Sequence, residues 1–182
     1  EAKEAPGHDH TEAQMILNHK SAFSYIHTHA KQFAMLRRSH IEDVHKLLVA
    51  NLGVTHNIRK KPVGVTGSRY RPLDNEHQIV ETMETLLYTI NSCPDPYAKA
   101  LFLLLGLSYI QPFEDGNKRT SRLMANAVLL SHGLAPLSYR SVSEEAYREA
   151  TLVFYELNSL VLFRDIFVEQ YDFAARNYLV TK

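Results

Sequence analysis

Apolar and polar positions along the chain alternate with helical periods almost throughout. Met15, Ile16, Ala22, Phe23 and Ile26 recur every three or four residues, which predicts a helix opened by a Thr11/Gln14 capping box and running to about Ala30. A Ser39/Glu42 capping box opens a second helix, with Ile41, Val44, Leu47 and Leu48 on one side and a stop near Gly53. Residues 57–72 break the rule. There Val63 and Val65 alternate with Gly64 and Thr66, Gly67-Ser68 offers a turn, and Tyr70 follows, so a short two-stranded hairpin is predicted. Helical spacing returns over 74–91 (Ile79, Val80, Met83, Leu86, Leu87, Ile90) until Pro94 and Pro96 interrupt it. From Tyr97 to Ile110 the chain is apolar on every side, the pattern of a helix enclosed at a domain centre. Another helix is expected over 117–132 with Gly133 as its stop, and one after it capped by Ser141 and Glu144. The last runs from Leu160 to Tyr178 through Phe163, Ile166, Phe167, Tyr171, Phe173 and Ala174. The fold class is all-α, a helical bundle with one small β-hairpin.

The chemistry is concentrated where the apolar helix stops, at 110–126, I-Q-P-F-E-D-G-N-K-R-T-S-R-L-M-A-N. A polar loop containing Pro112 and Gly116 leads into a helix whose first turns carry Lys118, Arg119 and Arg122. The first N–H groups of that helix lack intrahelical acceptors, and the macrodipole adds roughly half a positive charge, so an anion such as phosphate is held at Gly116 and Asn117. Arg119 and Arg122, three apart and on one face, can grip further phosphate oxygens. Asp115 is the one carboxylate read as pointing into this loop, where Mg²⁺ between it and a polyphosphate relieves the charge conflict. The bland alternative is a solvated basic face beside a turn; charge runs alone are common, but Gly-Asn-x-Arg after an apolar helix is not. Phe113 reads as a core anchor for the loop.

Residues 111–122, Q-P-F-E-D-G-N-K-R-T-S-R, resemble the Fic motif, H-P-F-x-[D/E]-G-N-x-R-x-x-R. Pro112, Phe113, Asp115, Gly116, Asn117, Arg119 and Arg122 match it; Gln111 stands where the family has its histidine. The resemblance implies a Fic fold over 11–182 with a β-hairpin flap above the active-site loop. It also implies a protein adenylyltransferase that moves AMP from ATP, with Mg²⁺, to a Ser, Thr or Tyr hydroxyl of a target protein. Its catalytic positions here are Gln111, Asn117 and Arg119. Asp115 would hold the metal, Gly116 and Asn117 the anion hole, Lys118 an added cation, and Arg119 and Arg122 the β and γ phosphates. Val63, Gly64, Val65 and Thr66 form the flap that docks the target by strand addition. Tyr147 and Asn158 fall where the family has adenine-pocket residues, although Tyr147 fits ordinary packing equally well.

Gln111 separates family from activity. An amide is no base, and loss of a general base costs on the order of 10²- to 10⁴-fold. Two readings stay open: a transferase silenced at this position, or a natural nucleotide- or partner-binding domain with little or no transfer. Transfer of another phosphate-containing group is a third, which the intact Arg119/Arg122 pair disfavours. Many relatives carry an inhibitory S/T-x-x-x-E-G/N helix. Here Gly7 has the register of its last residue and Pro6 replaces the glutamate, so residues 1–10 read as a remnant or truncated inhibitory region and Arg122 as free for ATP.

Composition narrows the remaining classes. At 182 residues with 45% apolar content the chain suits one domain with a proper core. Twenty basic and twenty acidic residues cancel, so no global field draws it to nucleic acid or an anionic membrane. The longest apolar run is about ten residues, half of the roughly 20 a bilayer span needs. The lone Cys93 excludes an internal disulfide and fits a reducing, cytoplasmic setting. Ten histidines include the pairs His8/His10 and His27/His29, but residues two apart on a helix share no face, so they read as structural or tail residues. Glu1 in place of Met points to a processed or recombinant fragment. A homodimer is left open.

Overall fold

The computed structural model describes residues 8–139 and 141–178, and the helical periods resolve there into seven α-helices: α1 (His8–Thr28), α2 (Arg38–Leu48), α3 (Glu76–Ser92), α4 (Pro96–Ile110), α5 (Asn117–Ser131), α6 (Glu144–Leu157) and α7 (Val161–Asn177), with a 3₁₀ turn at Ala30–Ala34. α4 and α5 form the central pair, on which α1, α2 and α3 pack; α6 and α7 pair with each other. Leu103, Leu104 and Leu107 of α4 meet Leu123, Met124, Ala127 and Val128 of α5 in a core with essentially no exposed surface. α4 starts with Asp95 as cap, its carboxylate accepting from the N–H of Tyr97 and of Ala98, and with Pro96 in the first turn.

Buried and half-buried asparagines pin the connections. A carboxamide offers one acceptor and a pair of donors, so it can satisfy both the N–H and the C=O of one loop residue. Asn91 does this for Leu36 (2.9 and 2.9 Å). Asn117 does it for Phe113 (2.9 and 2.8 Å), and Asn126 for Leu137 (2.7 and 3.0 Å). Asn18 donates to the carbonyls of Leu48 and Ala50, at the end of α2. The polar residues that look misplaced on apolar faces are therefore what holds the loops against the bundle.

Several expectations change. Among the described residues there is no strand. The turn at 65–68 does form, with Ser68 N–H donating to the Val65 carbonyl (3.1 Å) and Gly67 at φ 80°. The returning limb is then drawn away: the Glu156 carboxylate of α6 accepts from Ser68 Oγ and from the Arg69 N–H (2.6 Å), and Tyr70 Oη donates to the Tyr109 carbonyl (2.9 Å). The flap is an extended segment tied to α4 and α6 rather than a hairpin.

Helix starts were also displaced. Thr11 lies inside α1, which begins at His8; the expected remnant at 1–10 thus falls partly outside the described residues, with 8–10 already in α1. Ser39 lies inside α2, because Glu42 pairs with Arg38 (3.2 Å) instead of turning back to cap. Ser143 caps α6, its side chain accepting from the Ala146 N–H (3.1 Å), while Ser141 bonds to Gln170. Ile16 is exposed, and α4 is central but not enclosed, with Tyr97 and Phe102 partly in solvent.

His45 of α2 links this core to the motif loop. Its ring is fully buried, stacks on Phe113 at 3.6 Å between centroids, and faces Thr120 Oγ1 at 3.2 Å from Nδ1. Burial pushes its pKa from 6.5 down to about 4, against smaller opposing effects of a Thr55 backbone bond and Asp115.

Two predictions follow from these contacts. Asn126→Ala strands the Leu137 N–H and C=O and should lower unfolding stability by about 2–3 kcal/mol, read from urea midpoints at unchanged slope. The unfolded chain protonates its imidazole near 6.5 while buried His45 resists until about 4. Stability from this group is thus full above about pH 6.5 and declines as pH falls towards about 4, by on the order of 3 kcal/mol in total. His45→Gln should flatten that part of a stability–pH curve.

Candidate active site

The motif loop is shaped by the way α4 ends. Gln111 is the C-cap, at φ 52° and ψ 58°, the left-handed region that non-glycine residues enter only when neighbours hold them. Its N–H donates to the Leu107 carbonyl (3.0 Å), and its side-chain Nε2 donates to the Ser108 carbonyl (2.6 Å). Tyr155 Oη donates to the same Ser108 carbonyl (2.6 Å), and burial pushes that phenol up to about 12. After Pro112 the chain dives, burying Phe113 against His45 as the sequence led one to expect.

Gly116 then caps α5 at φ 79°, and glycine is required there twice over. Its backbone is left-handed, and a Cβ would come within 3.2 Å of His45 Cε1 and 3.4 Å of Val49 Cγ1. The Gly116 carbonyl accepts from Thr120 Oγ1 and N–H, at 2.9 Å each. α5 therefore begins against a rigid wall, with its unpaired N-terminal N–H groups at the mouth of a cavity of about 540 Å³.

That cavity brings most of the expected residues together. Its lining includes Gln111, Asp115, Gly116, Asn117, Lys118, Arg119, Arg122 and Tyr147, and on the opposite rim Val63, Gly64, Val65 and Thr66. The two valines are half-buried and the two residues alternating with them exposed, so the period-two pattern shows in burial although no hairpin formed and all four line the cavity. Asn117 holds the loop through Phe113 as well as lining the cavity. Asn158 is not in this lining; it ends α6 in the left-handed region at φ 52°.

Asp115 is not the lone carboxylate. Glu114 and Glu144 also line the cavity, and so does Arg148, on the same face of α6 one turn from Glu144. Glu114 was legible as a motif neighbour. Glu144 and Arg148 carried no signal, because only the fold of α6 across the loop brings them in.

The two motif arginines are held differently. Arg119 Nη2 donates to Asp115 Oδ2 (3.1 Å), while its Nη1 is buried with no hydrogen-bond partner among the described residues. Arg122 lies with its guanidinium carbon 4.8 Å from the Tyr139 ring centroid and 4.3 Å from that of Tyr147, and its Nε donates to Tyr147 Oη (3.4 Å). Tyr147 is thus both a cavity wall and the platform that orients Arg122. Desolvation, with the charges of Arg119 and Arg122, lowers the pKa of His19 on α1. Residues 6 and 7, where the inhibitory register was read, lie outside the described residues; among those described, no carboxylate pairs with Arg122 within 4.0 Å. No cluster of three or more His, Cys, Asp or Glu side chains suited to a metal occurs among the described residues. No described helix is long and apolar enough to cross a membrane.

An orphan guanidinium donor, unpaired helix N–H groups and four cationic side chains against three carboxylates make this an anion site fit for a polyphosphate. The profile of the Fic/DOC family matches residues 35–129, from just before α2 into α5. Protein adenylyltransferase fic-1 of Caenorhabditis elegans is 26% identical over 101 residues, 53% of this chain and 20% of that protein. Protein adenylyltransferase Fic of Nematostella vectensis is 36% identical over 78 residues, 43% of this chain and 18% of that protein. The match thus spans about a fifth of the length of these curated relatives. A Fic domain containing signaling protein from Bacteroides thetaiotaomicron superimposes with a TM-score of 0.76 at 18% identity, over 97% of this chain and 74% of that one. Since the family profile covers more than half of the 182 residues and includes the loop on which the cavity is built, this chain belongs to the Fic/DOC family.

Proposed function

We propose that this domain binds ATP in the cavity at the N-terminus of α5 and belongs to an enzyme that transfers AMP to a hydroxyl side chain of another protein. The observation that carries the reading is the convergence of unmatched donors on one cavity: the first N–H groups of α5, the unpartnered Nη1 of Arg119, and the Arg122 fork held between two tyrosines. A triphosphate supplies the acceptors they lack. Phosphoryl-type transition states are stabilised mainly by positioning and charge, which such a site offers. The extended segment 63–66 on the opposite rim suits a target strand laid along it, so that a serine, threonine or tyrosine hydroxyl reaches position 111.

Magnesium suits the donor set. Asp115 and Glu114 place carboxylate oxygens beside the cationic loop, and one Asp115 oxygen is already oriented by Arg119. When bound, the ion supplies charge neutralisation on the phosphates. The chain's own residues orient the triphosphate, wall off the cavity behind Phe113 and His45, and place the residue-111 side chain at its edge.

Gln111 limits the chemistry. Its amide donates to the Ser108 carbonyl and cannot take a proton from an attacking hydroxyl. An imidazole there could donate one ring N–H to the same carbonyl and leave the other nitrogen as acceptor. This favours slow or silent transfer by the chain as it stands, with nucleotide binding intact, and keeps a nucleotide-binding module as the second reading.

The test compares the chain with Gln111→His, each incubated with Mg²⁺ and ATP labelled on the α-phosphate. Label and an AMP-sized mass increase are expected with the histidine variant and on the order of 10²-fold less with the glutamine chain. If neither labels itself or any added protein while both bind ATP, the transferase reading fails. Arg119→Ala and Arg122→Ala should each weaken nucleotide binding by about 10- to 100-fold, measured by calorimetry, since each removes charge-assisted bonds to phosphate.

A further inference from the structure

Arg59 is the largest of the fully buried side chains, 1% exposed, and makes no ion pair among the described residues. Its hydrogens go to backbone carbonyls. Nε donates to Gln111 O (2.6 Å), Nη1 to Lys61 O (3.0 Å), and Nη2 to Leu73 O and to Ile110 O (3.5 Å). Its own N–H donates to Pro112 O (3.0 Å). Two of these carbonyls end α4, where the macrodipole concentrates negative charge, so the buried cation is compensated without a carboxylate. The other two bracket 62–72, the extended segment that forms the rim of the cavity. A planar guanidinium spreads its donors over three nitrogens and reaches carbonyls on both sides at once; an ammonium, with its three N–H groups on one nitrogen, lacks that span.

We infer that Arg59 is a positioning residue that holds position 111 in its left-handed conformation and sets the rim segment 62–72 at a fixed offset from it. The inference rests on the proposed reading of 111 as the position that meets the target hydroxyl. Position 111 has a strained backbone and its peptide carbonyl bonds to Arg59. The rim has no strand ladder to stiffen it; its second limb is tied by Glu156 and Tyr109, whereas both its ends converge on Arg59. One side chain thus links the segment proposed to hold the target to the residue proposed to meet it. It makes no hydrogen bond to 115–122, where the nucleotide would be gripped.

The experiment places Arg59→Met and Arg59→Lys in the Gln111→His chain. It follows the rate of AMP labelling, the affinity for a non-hydrolysable ATP analogue with Mg²⁺, and amide hydrogen exchange. The expected result is a split. Affinity stays within about twofold while labelling slows about a hundredfold, because transfer is sensitive to misplacement of about 1 Å and phosphate binding at α5 is not. Exchange should rise about tenfold over 61–73 and 111–113, with α1 and α3 unchanged. Arg59→Lys, which keeps the charge but loses the fork, reads the same split should Arg59→Met not fold. The inference is overturned if folded variants label at the parent rate, or if affinity and rate fall together with exchange raised throughout, which marks a purely structural cap. If Gln111→His transfers nothing, the AMP-transfer reading fails separately, and exchange at 61–73 and 111–113 against unchanged affinity still decides whether Arg59 does the positioning.

Discussion

The backbone carbonyls at the end of α4 are the constraint on which the site depends. A helix leaves its last carbonyls without intrahelical partners, and buried ones must find others. Here every carbonyl from Leu107 to Phe113 has one: the Gln111 N–H, the Gln111 amide with Tyr155, Tyr70, Arg59 three times over, and Asn117. Apart from Gln111 itself, the partners come from the segment between α2 and α3, from α6, and from the start of α5. Satisfying one helix terminus therefore gathers the rim segment, α6 and α5 around the same few residues, and the cavity is the space left between them.

Electrostatics follows from that gathering. The N-terminus of α5 faces the cavity because Pro112 and Phe113 turn the chain inward and Gly116 lets it restart at close range to His45. Positive charge is concentrated there by backbone as well as by side chains. Arg122 is oriented by two aromatic rings rather than by a carboxylate, so its hydrogens stay available; Arg119 spends one bond on Asp115 and keeps another donor dry and unpaired. An uncompensated donor in a buried site is costly unless a ligand completes it. An acceptor placed against the Arg119 Nη1 would relieve that cost.

At position 111 the demands of the fold and those of the proposed chemistry differ. The fold asks of this residue a left-handed backbone and a donor to the Ser108 carbonyl, and glutamine meets both. Chemistry asks in addition for a basic lone pair, which it lacks. On the proposed reading, the chain keeps the architecture of a transfer site and lacks the base for one step of the reaction.

By itself the sequence determined the helices and the core, and it marked the loop now proposed to hold an anion. Helical periodicity is a local property written every three or four residues, and Pro112, Gly116, Asn117 and the two arginines are close enough in the chain for loop chemistry to be read directly. It also marked 63–66 as a segment apart from the helices, since alternation survives whether or not a strand pairs. Local signals failed where a side chain had a distant partner. Ser39 lost its cap to an Arg38–Glu42 pair, the hairpin lost its second limb to Glu156, and Glu144 and Arg148 entered the cavity from a helix whose own sequence says only that it is amphipathic. Arg59, an unremarked cation before the rim, became its buried hub. Only the tertiary structure decided these, because buried polar groups must be satisfied by whatever lies nearest in space, and that distance is not encoded in spacing along the chain.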